Sequence, residues 1–291
     1  MKWRIGRVTV TKIVELEVTG GSRFILPQAT YEEILPITWL QPHFADERGR
    51  LKMSIHALVV ETPDRRIIVD TCLGNDKENR RIPTWNNLQG PFLADLAAAG
   101  SPRESIDTVL CTHLHVDHVG WNTMLVDGKW VPTFPQARYL MGRVEFAHWQ
   151  GERGRDDMAA VFADSVAPIH AAGLADLVET DHRICDKISL VPTIGHTPGH
   201  TSYVLSSGSG KVYIQSDVTN NPNPFATNPG WHAFFDLDAD MSEKTRRRVY
   251  DMLVAEKLQV QGFHYPFPGL GNIVKDGAGY QVVPAPWNPV I

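Results

Sequence analysis

The sequence predicts a layered α/β fold with mixed sheets, built as a single domain over residues 1–291. Two patterns point there. Strand-like runs come in clusters, and helical runs separate the clusters instead of alternating strictly with single strands, which suits packed layers and not a regular barrel. The third observation is size: 291 residues with 43% hydrophobic content are enough for one sizeable core.

Along the chain, residues 4–17 and 52–61 read as strands, and Arg65–Asp70 (RRIIVD) adds another after a turn at Pro63-Asp64. The stretch 20–50 between the first two is rich in Pro and aromatics. A loop of that length predicts an N-terminal arm that covers the site or meets a second subunit. Pro91–Ala99 reads as a helix ended by Gly100. Ile106–Cys111 and Arg138–Met141 are short β-rich runs, and helical signals follow over 144–149 and 158–172. Ile188–Ile194, Ser202–Leu205 and Lys211–Gln215 are strand-like. Asp240 with Glu243 three residues on predicts a capped helix start running to about Lys257. Leu258–Phe263 is a last buried strand before a Pro/Gly-rich segment.

Composition excludes several classes. A net charge of -5 carries no basic footprint for nucleic acid. No apolar run approaches the roughly 18 residues of a membrane span. The N-terminus lacks the apolar middle of a signal peptide, so a cytoplasmic protein with neither membrane nor nucleic-acid partner is expected. Cys72, Cys111 and Cys185 are too few and too scattered for a disulfide framework or a CxxC zinc site.

The chemistry is carried by Thr112-His113-Leu114-His115-Val116-Asp117-His118, directly after the run IDTVLC. Side chains of an extended segment alternate faces, so His113 and His115 point the same way and can share one metal. A turn into a helix then frees Asp117 and His118 for a neighbouring ion. With 12 histidines in the chain, H-x-H-x-D-H arises by chance about once in a thousand such sequences. Lone histidines carry no such signal, and His148, His170, His182 and His232 are given no role. His196 follows the strand ISLVPTI, Asp217 the strand KVYIQ, and His264 the strand LQVQGF. Strand ends are where sites are built in layered α/β proteins. His196 thus completes a set with His113 and His115, while His264 joins Asp117 and His118. The two oxygens of Asp217 suit a bridge. Imidazole and carboxylate ligands predict two divalent ions, zinc first, with Mn, Co or Fe also accepted.

These segments, HLHVDH at 113–118, GHTPGH at 195–200, SD at 216–217 and FH at 263–264, resemble the metallo-β-lactamase superfamily over about residues 50–265. The resemblance implies an αββα sandwich with the metal site at one edge. It implies that Asp70, in the VDT at 69–71, supports the metal ligands from behind. Asp at 217 and His at 264, with the run FHYPFPGLG, are similar to the acyl-homoserine lactonase and methyl-parathion-hydrolase branch. The expected activity is therefore that of a metal-dependent hydrolase of a small-molecule substrate, in which a metal-bridging hydroxide opens a lactone or cleaves a carboxylic ester. Quorum quenching is the biological role that a lactonase implies. A phosphotriesterase is the alternative, and a mononuclear-iron dioxygenase on the same fold a more distant one. Asp117 is the expected catalytic carboxylate, orienting the hydroxide and passing a proton to the leaving group. His200 is expected to orient the site by a hydrogen bond. Trp121, Asn220, Trp231, Phe234, Phe235 and Tyr265 are the candidate pocket residues, and a homodimer is the expected assembly.

Overall fold

A computed structural model describes residues 1–151, 156–219 and 222–285. Its contacts divide the chain into two compact units. The first comprises Met1–Glu15 and Ile55–His182; the second comprises Leu16–Ser54 and the described part of Arg183–Asn288.

The first unit is built on the strands β1 (Lys2–Ile5), β2 (Val8–Thr19), β3 (Lys52–Glu61), β4 (Arg66–Val69), β5 (Thr108–Leu110), β6 (Thr123–Val126), β7 (Lys129–Pro132), β8 (Arg138–Gly142) and β9 (Ala175–Val178). The single strand expected at 4–17 is two, because Gly6 takes a left-handed φ of 53° and the chain folds back with Ile5 opposite Val8. The alternating pattern continues across that turn and hides it. The main sheet runs β1-β2-β3-β4-β5-β8-β9. Strands β4, β5, β8 and β9 are parallel neighbours. Parallel strands need long crossovers, supplied here by the helix Phe92–Ala98 and by the helical run from Arg143 onward. The helix predicted at 158–172 is interrupted by a π-helical turn at Phe162–Val166. The hairpin β6–β7 was not legible as strands, although its Asp127-Gly128 turn, both at positive φ, is a known hairpin signal.

Residues such as Ile67, Ile68, Val69 and Val109 are sealed from solvent. Each such side chain contributes about 1.5–3 kcal/mol. Strand β3 is buried from Met53 to Val60, so its near-continuous apolar run marks a central strand covered on both faces.

The second unit holds β10 (Arg183–Cys185), β11 (Ile188–Pro192), β12 (Thr201–Ser207), β13 (Gly210–Ile214), β14 (Gln259–Gln261), β15 (Leu270–Asp276) and β16 (Gly279–Pro284), neighbouring one another in that order. The last two form a hairpin in the segment read only as rich in Pro and Gly. The helix Ala239–Glu256 buries Val249, Tyr250 and Leu253 in a cluster with Tyr213, Val260, Ile273 and Tyr280. Its start differs from expectation. Asp238 is the N-cap, its carboxylate accepting the Met241 N–H at 2.9 Å, while Glu243 pairs with Arg247 one turn on. The 20–50 arm has its own apolar cluster of Leu26, Ala29, Ile34, Ile37, Leu40 and Ala45, closed by Leu51, Phe225 and Ala233.

Among the described residues no helix is long and apolar enough to cross a membrane. All three cysteines are free; Cys72 and Cys111 are buried.

Candidate active site

In the first unit, Asp70 follows β4, the 112–118 segment follows β5, and Glu145 follows β8. These three strands are parallel, so all three segments emerge at one edge of the sheet. Asp70 itself sits at a left-handed φ of 52°, which turns its side chain off the strand direction. Its carboxylate accepts the Thr112 N–H at 2.8 Å, the Thr112 hydroxyl at 2.7 Å and the Nδ1–H of His118 at 2.7 Å. The only hydroxyl proton of Thr112 is thus spent on Asp70. Its oxygen is left to accept Nδ1–H from His113, 3.2 Å away. One buried carboxylate fixes the tautomer of two histidines and leaves each Nε2 with a lone pair. Burial pushes the Asp70 carboxyl above its usual range, against the pull of His118 and the Thr112 donors.

The segment 111–115 is a bent connection and His115 precedes the short helix Val116–Val119. His113 Nε2 nevertheless lies 3.1 Å from His115 Nδ1, as shared ligands require. Asp117 Oδ1 is 3.8 Å from His118 Nε2. Asp117 keeps 16% of its side chain exposed while His118 keeps 1%. The carboxylate is therefore the member of the pair that a solvent molecule can reach.

Two further carboxylates, not singled out from the sequence, brace this segment. Glu145 accepts the Leu114 N–H at 3.1 Å and the Trp149 indole at 2.6 Å, and Trp149 packs edge-on against His115. Glu15 accepts the N–H groups of Leu73 and Gly74 at 2.7 and 3.2 Å and the Trp121 indole at 2.7 Å. Burial raises the Glu15 carboxyl, and the charge of Asp117 adds to the rise. The loop after Asp70 interlocks with the metal motif: Thr71 N–H donates to His118 O, Gly120 N–H to Cys72 O, and Trp121 N–H to Thr71 O. Gly120 approaches so closely that a Cβ there would stand 1.8 Å from the Leu73 carbonyl oxygen.

In the second unit, β11 and β13 are each antiparallel to β12, and β13 is parallel to β14. β11, β13 and β14 therefore run the same way, and His196, Asp217 and His264 follow their ends at one edge. Ser216, at a left-handed φ of 46°, re-aims the chain at Asp217. Asp217 turns Oδ2 to His196 Nε2 at 3.5 Å and Oδ1 to His264 Nε2 at 3.3 Å. Each ring is held from behind. His196 Nδ1 donates to Asp236 at 2.8 Å and His264 Nδ1 to the Ser54 carbonyl at 3.1 Å. His200 donates Nδ1–H to the Thr193 carbonyl, and its Nε2 accepts the backbone N–H of Asp217 at 3.1 Å. Burial works against the Asp236 anion, but the His196 hydrogen bond and the charge of Arg246 outweigh it and hold the carboxyl below its usual range.

These spacings fit a metal. Two donors about 2.0–2.1 Å from one tetrahedral zinc stand about 3.3 Å apart. The four donor pairs above lie at 3.1, 3.8, 3.5 and 3.3 Å. The donor set, buried imidazole and carboxylate with the rings of His113, His118, His196 and His264 each held through Nδ1, is the chemistry that zinc, Mn, Co or Fe accepts.

The pocket candidates fare differently. Trp121 is buried, stacked on Phe92 at 5.6 Å, its N–H taken by Glu15. Tyr265 is buried, its hydroxyl bonded to Gln215 and Thr219. Trp231 and Phe235 are half-buried, Phe234 is exposed, and Asn220 lies outside the described residues. Phe24 of the arm packs against both Phe234 and Phe235.

Comparison with known proteins agrees with this architecture. An N-acyl homoserine lactonase from Bacillus sp is 20% identical over 246 residues, 80% of this chain and 87% of that protein. The solved structure of AidC, described as a dizinc quorum-quenching lactonase in complex with the product N-hexanoyl-L-homoserine, superposes with a TM-score of 0.82 at 21% identity, covering 99% of this chain and 98% of AidC. The hydrolase AbOPH, described as in the beta lactamase superfamily, superposes at 0.81 with 23% identity, again over 99% and 98%. The fold is the αββα sandwich of these proteins, with mixed sheets. The sequence profile of the Metallo-beta-lactamase superfamily matches residues 52–255, and the chain belongs to that superfamily.

Proposed function

We propose that this hydrolase of the metallo-β-lactamase superfamily opens a lactone ring or cleaves a carboxylic ester of a small molecule, with seven side chains holding two divalent ions, zinc foremost. In this reading His113, His115 and His196 serve one ion, Asp117, His118 and His264 the other, and Asp217 both. The observation that carries it is the Asp217 carboxylate, which offers one oxygen beside each of two histidines whose Nε2 lone pairs are fixed toward it. Support for the lactone comes from the relatives named above.

Bound metal ions supply two things, a water whose pKa falls to about 7 and polarisation of the carbonyl oxygen. The protein's residues do the rest. Asp117, the partly open carboxylate of the motif, orients the attacking water and takes its proton. As the acyl C–O bond breaks, Asp117 returns that proton to the leaving oxygen. Asp70 and Asp236 keep the ligand rings in the tautomers that bind, and His200 holds the backbone of Asp217 in place.

The test is hydrolysis of an acyl-homoserine lactone, an aryl ester and a phosphotriester by zinc-loaded and chelator-stripped protein, with metal content measured alongside. Two ions per chain and metal-dependent turnover of the lactone or ester are expected. Strong phosphotriester turnover with little lactone opening replaces the substrate assignment. Failure to retain metal removes the site.

A further inference from the structure

Arg246 is the largest fully buried side chain among the described residues of the second unit, 1% exposed, midway along the helix Ala239–Glu256. Nothing in the reaction above uses it, and a packed apolar residue of similar size is often as good for stability as a buried cation. Two of its contacts, those with Val218 and Asp236, reach the parts of the unit that hold Asp217 and His196. Nε donates to the carbonyl of Val218, the residue after Asp217, at 3.1 Å. Nη1 donates to the carbonyls of Pro229 and Trp231, each at 2.7 Å. Nη2 donates to the Ser242 hydroxyl at 3.1 Å and lies 3.7 Å from Oδ2 of Asp236. The face of the guanidinium sits 4.1 Å over the ring of Phe225. The same Asp236 oxygen also accepts the N–H of Ala233, while the other one holds Nδ1 of His196.

We propose that Arg246 is a positioning residue for metal binding, acting through Asp236 on His196 and through the Val218 carbonyl on Asp217. The inference rests on the metal site proposed above. A flat cation with five donors in a fixed fork can hold three loop segments at once, which neither lysine nor an apolar residue does. Arg246 backs one oxygen of Asp236 from 3.7 Å while the other takes Nδ1 of His196 at 2.8 Å, so the relay fixes which way the Nε2 edge of that ring faces. Its grip on Val218 sets where the Asp217 carboxylate stands relative to that edge, 3.5 Å away. Orienting partners of this kind are worth roughly 10–100-fold in metal affinity.

The experiment compares the wild-type chain with Arg246→Met, Arg246→Lys and Asp236→Asn. Zinc affinity is read by competition with a chelator, and the thermal melt is recorded without metal. For Arg246→Met we expect the metal-free melt to stay near wild type while one of the two ions binds about 10–100-fold more weakly, with Arg246→Lys between the two. Zinc affinities within twofold of wild type for both ions overturn the proposal. So does a loss that follows the metal-free melt in all variants, which marks a fold effect only. If Arg246→Met does not fold, Asp236→Asn reads the relay from its other end: about tenfold weaker binding of one ion supports it, and unchanged binding overturns it. Wild-type protein that binds no zinc defeats the metal-site reading itself, a result visible before any variant is compared.

Discussion

The imidazole of His118 donates its Nδ1–H to Asp70 across 2.7 Å, and Asp70 has no exposed surface at all. A carboxylate shut away like this is tolerated because three donors surround it. Replacing it with alanine strands His118 and Thr112 without an acceptor. Asp70→Ala is expected to lose about 1–3 kcal/mol of stability, the usual cost of leaving buried neutral donors unsatisfied. Urea unfolding of the metal-free protein measures it, and a loss below about 1 kcal/mol contradicts the role given to Asp70.

Asp117 stands in a different position, with part of its side chain open. Asp117→Asn keeps the shape and removes the proton acceptor. Turnover is expected to fall by about 10²–10⁴-fold, with the melting temperature little changed. Metal content measured on the same sample separates lost proton transfer from a lost ion. Near-wild-type turnover takes Asp117 out of the mechanism.

Gly195 precedes the ligand His196 at φ 134°, where a Cβ would meet the backbone nitrogen of Ser242 at 2.4 Å. Backbone at that distance cannot yield without moving the start of the helix Ala239–Glu256. Gly195→Ala is expected to cost at least about 2 kcal/mol, combining overpacking and backbone strain. A thermal melt within 1 °C of wild type, which corresponds to about 0.6 kcal/mol for a chain this long, shows that the loop adjusts freely.

Lys77 gives a pH dependence remote from the metal ligands. Burial brings its ammonium down to about 7, against the opposing pull of Asp164, 3.7 Å away. Nζ donates to Thr123 Oγ1 and lies 3.6 Å over the ring of Trp130, while Arg80 also holds Asp164 and works against the charge on Lys77. The folded pKa lies below the unfolded one, near 10.4, so the unfolded chain binds the extra proton between them. The contribution of Lys77 to stability therefore rises with pH from about 7 to about 10 and is lost as pH falls. Lys77→Met leaves Asp164 its two-pronged Arg80 partner. It is expected to melt higher than wild type at pH 6.5, with the gap narrowing by pH 9.5. A gap that widens with pH refutes the lowered ammonium.

The sequence carries the metal ligands because they sit in short motifs at strand ends, where spacing alone distinguishes them from stray histidines. Asp236, Glu145 and Glu15 escaped because each is one carboxylate far along the chain from what it holds: Asp236 is 40 residues from His196, and Glu15 reaches Trp121 106 residues on. No local pattern encodes such a pairing. The same physics explains the fold. Apolar runs such as 52–61 and 66–69 were readable from composition, whereas the break at Gly6 and the hairpin β15–β16 depend on turns inside patterns that look uniform or irregular.

The contact between Gly120 and the Leu73 carbonyl also bears on how this protein can be altered. Two stretches far apart in sequence, 70–74 and 116–122, meet backbone to backbone at Gly120, with three main-chain hydrogen bonds and further bonds linking the Asp70 and Thr71 side chains to His118 and Asn122. They behave as one exchangeable part. A chimaera that imports the metal motif from a relative must import its partner loop as well, or inherit a seam where neither half fits the other.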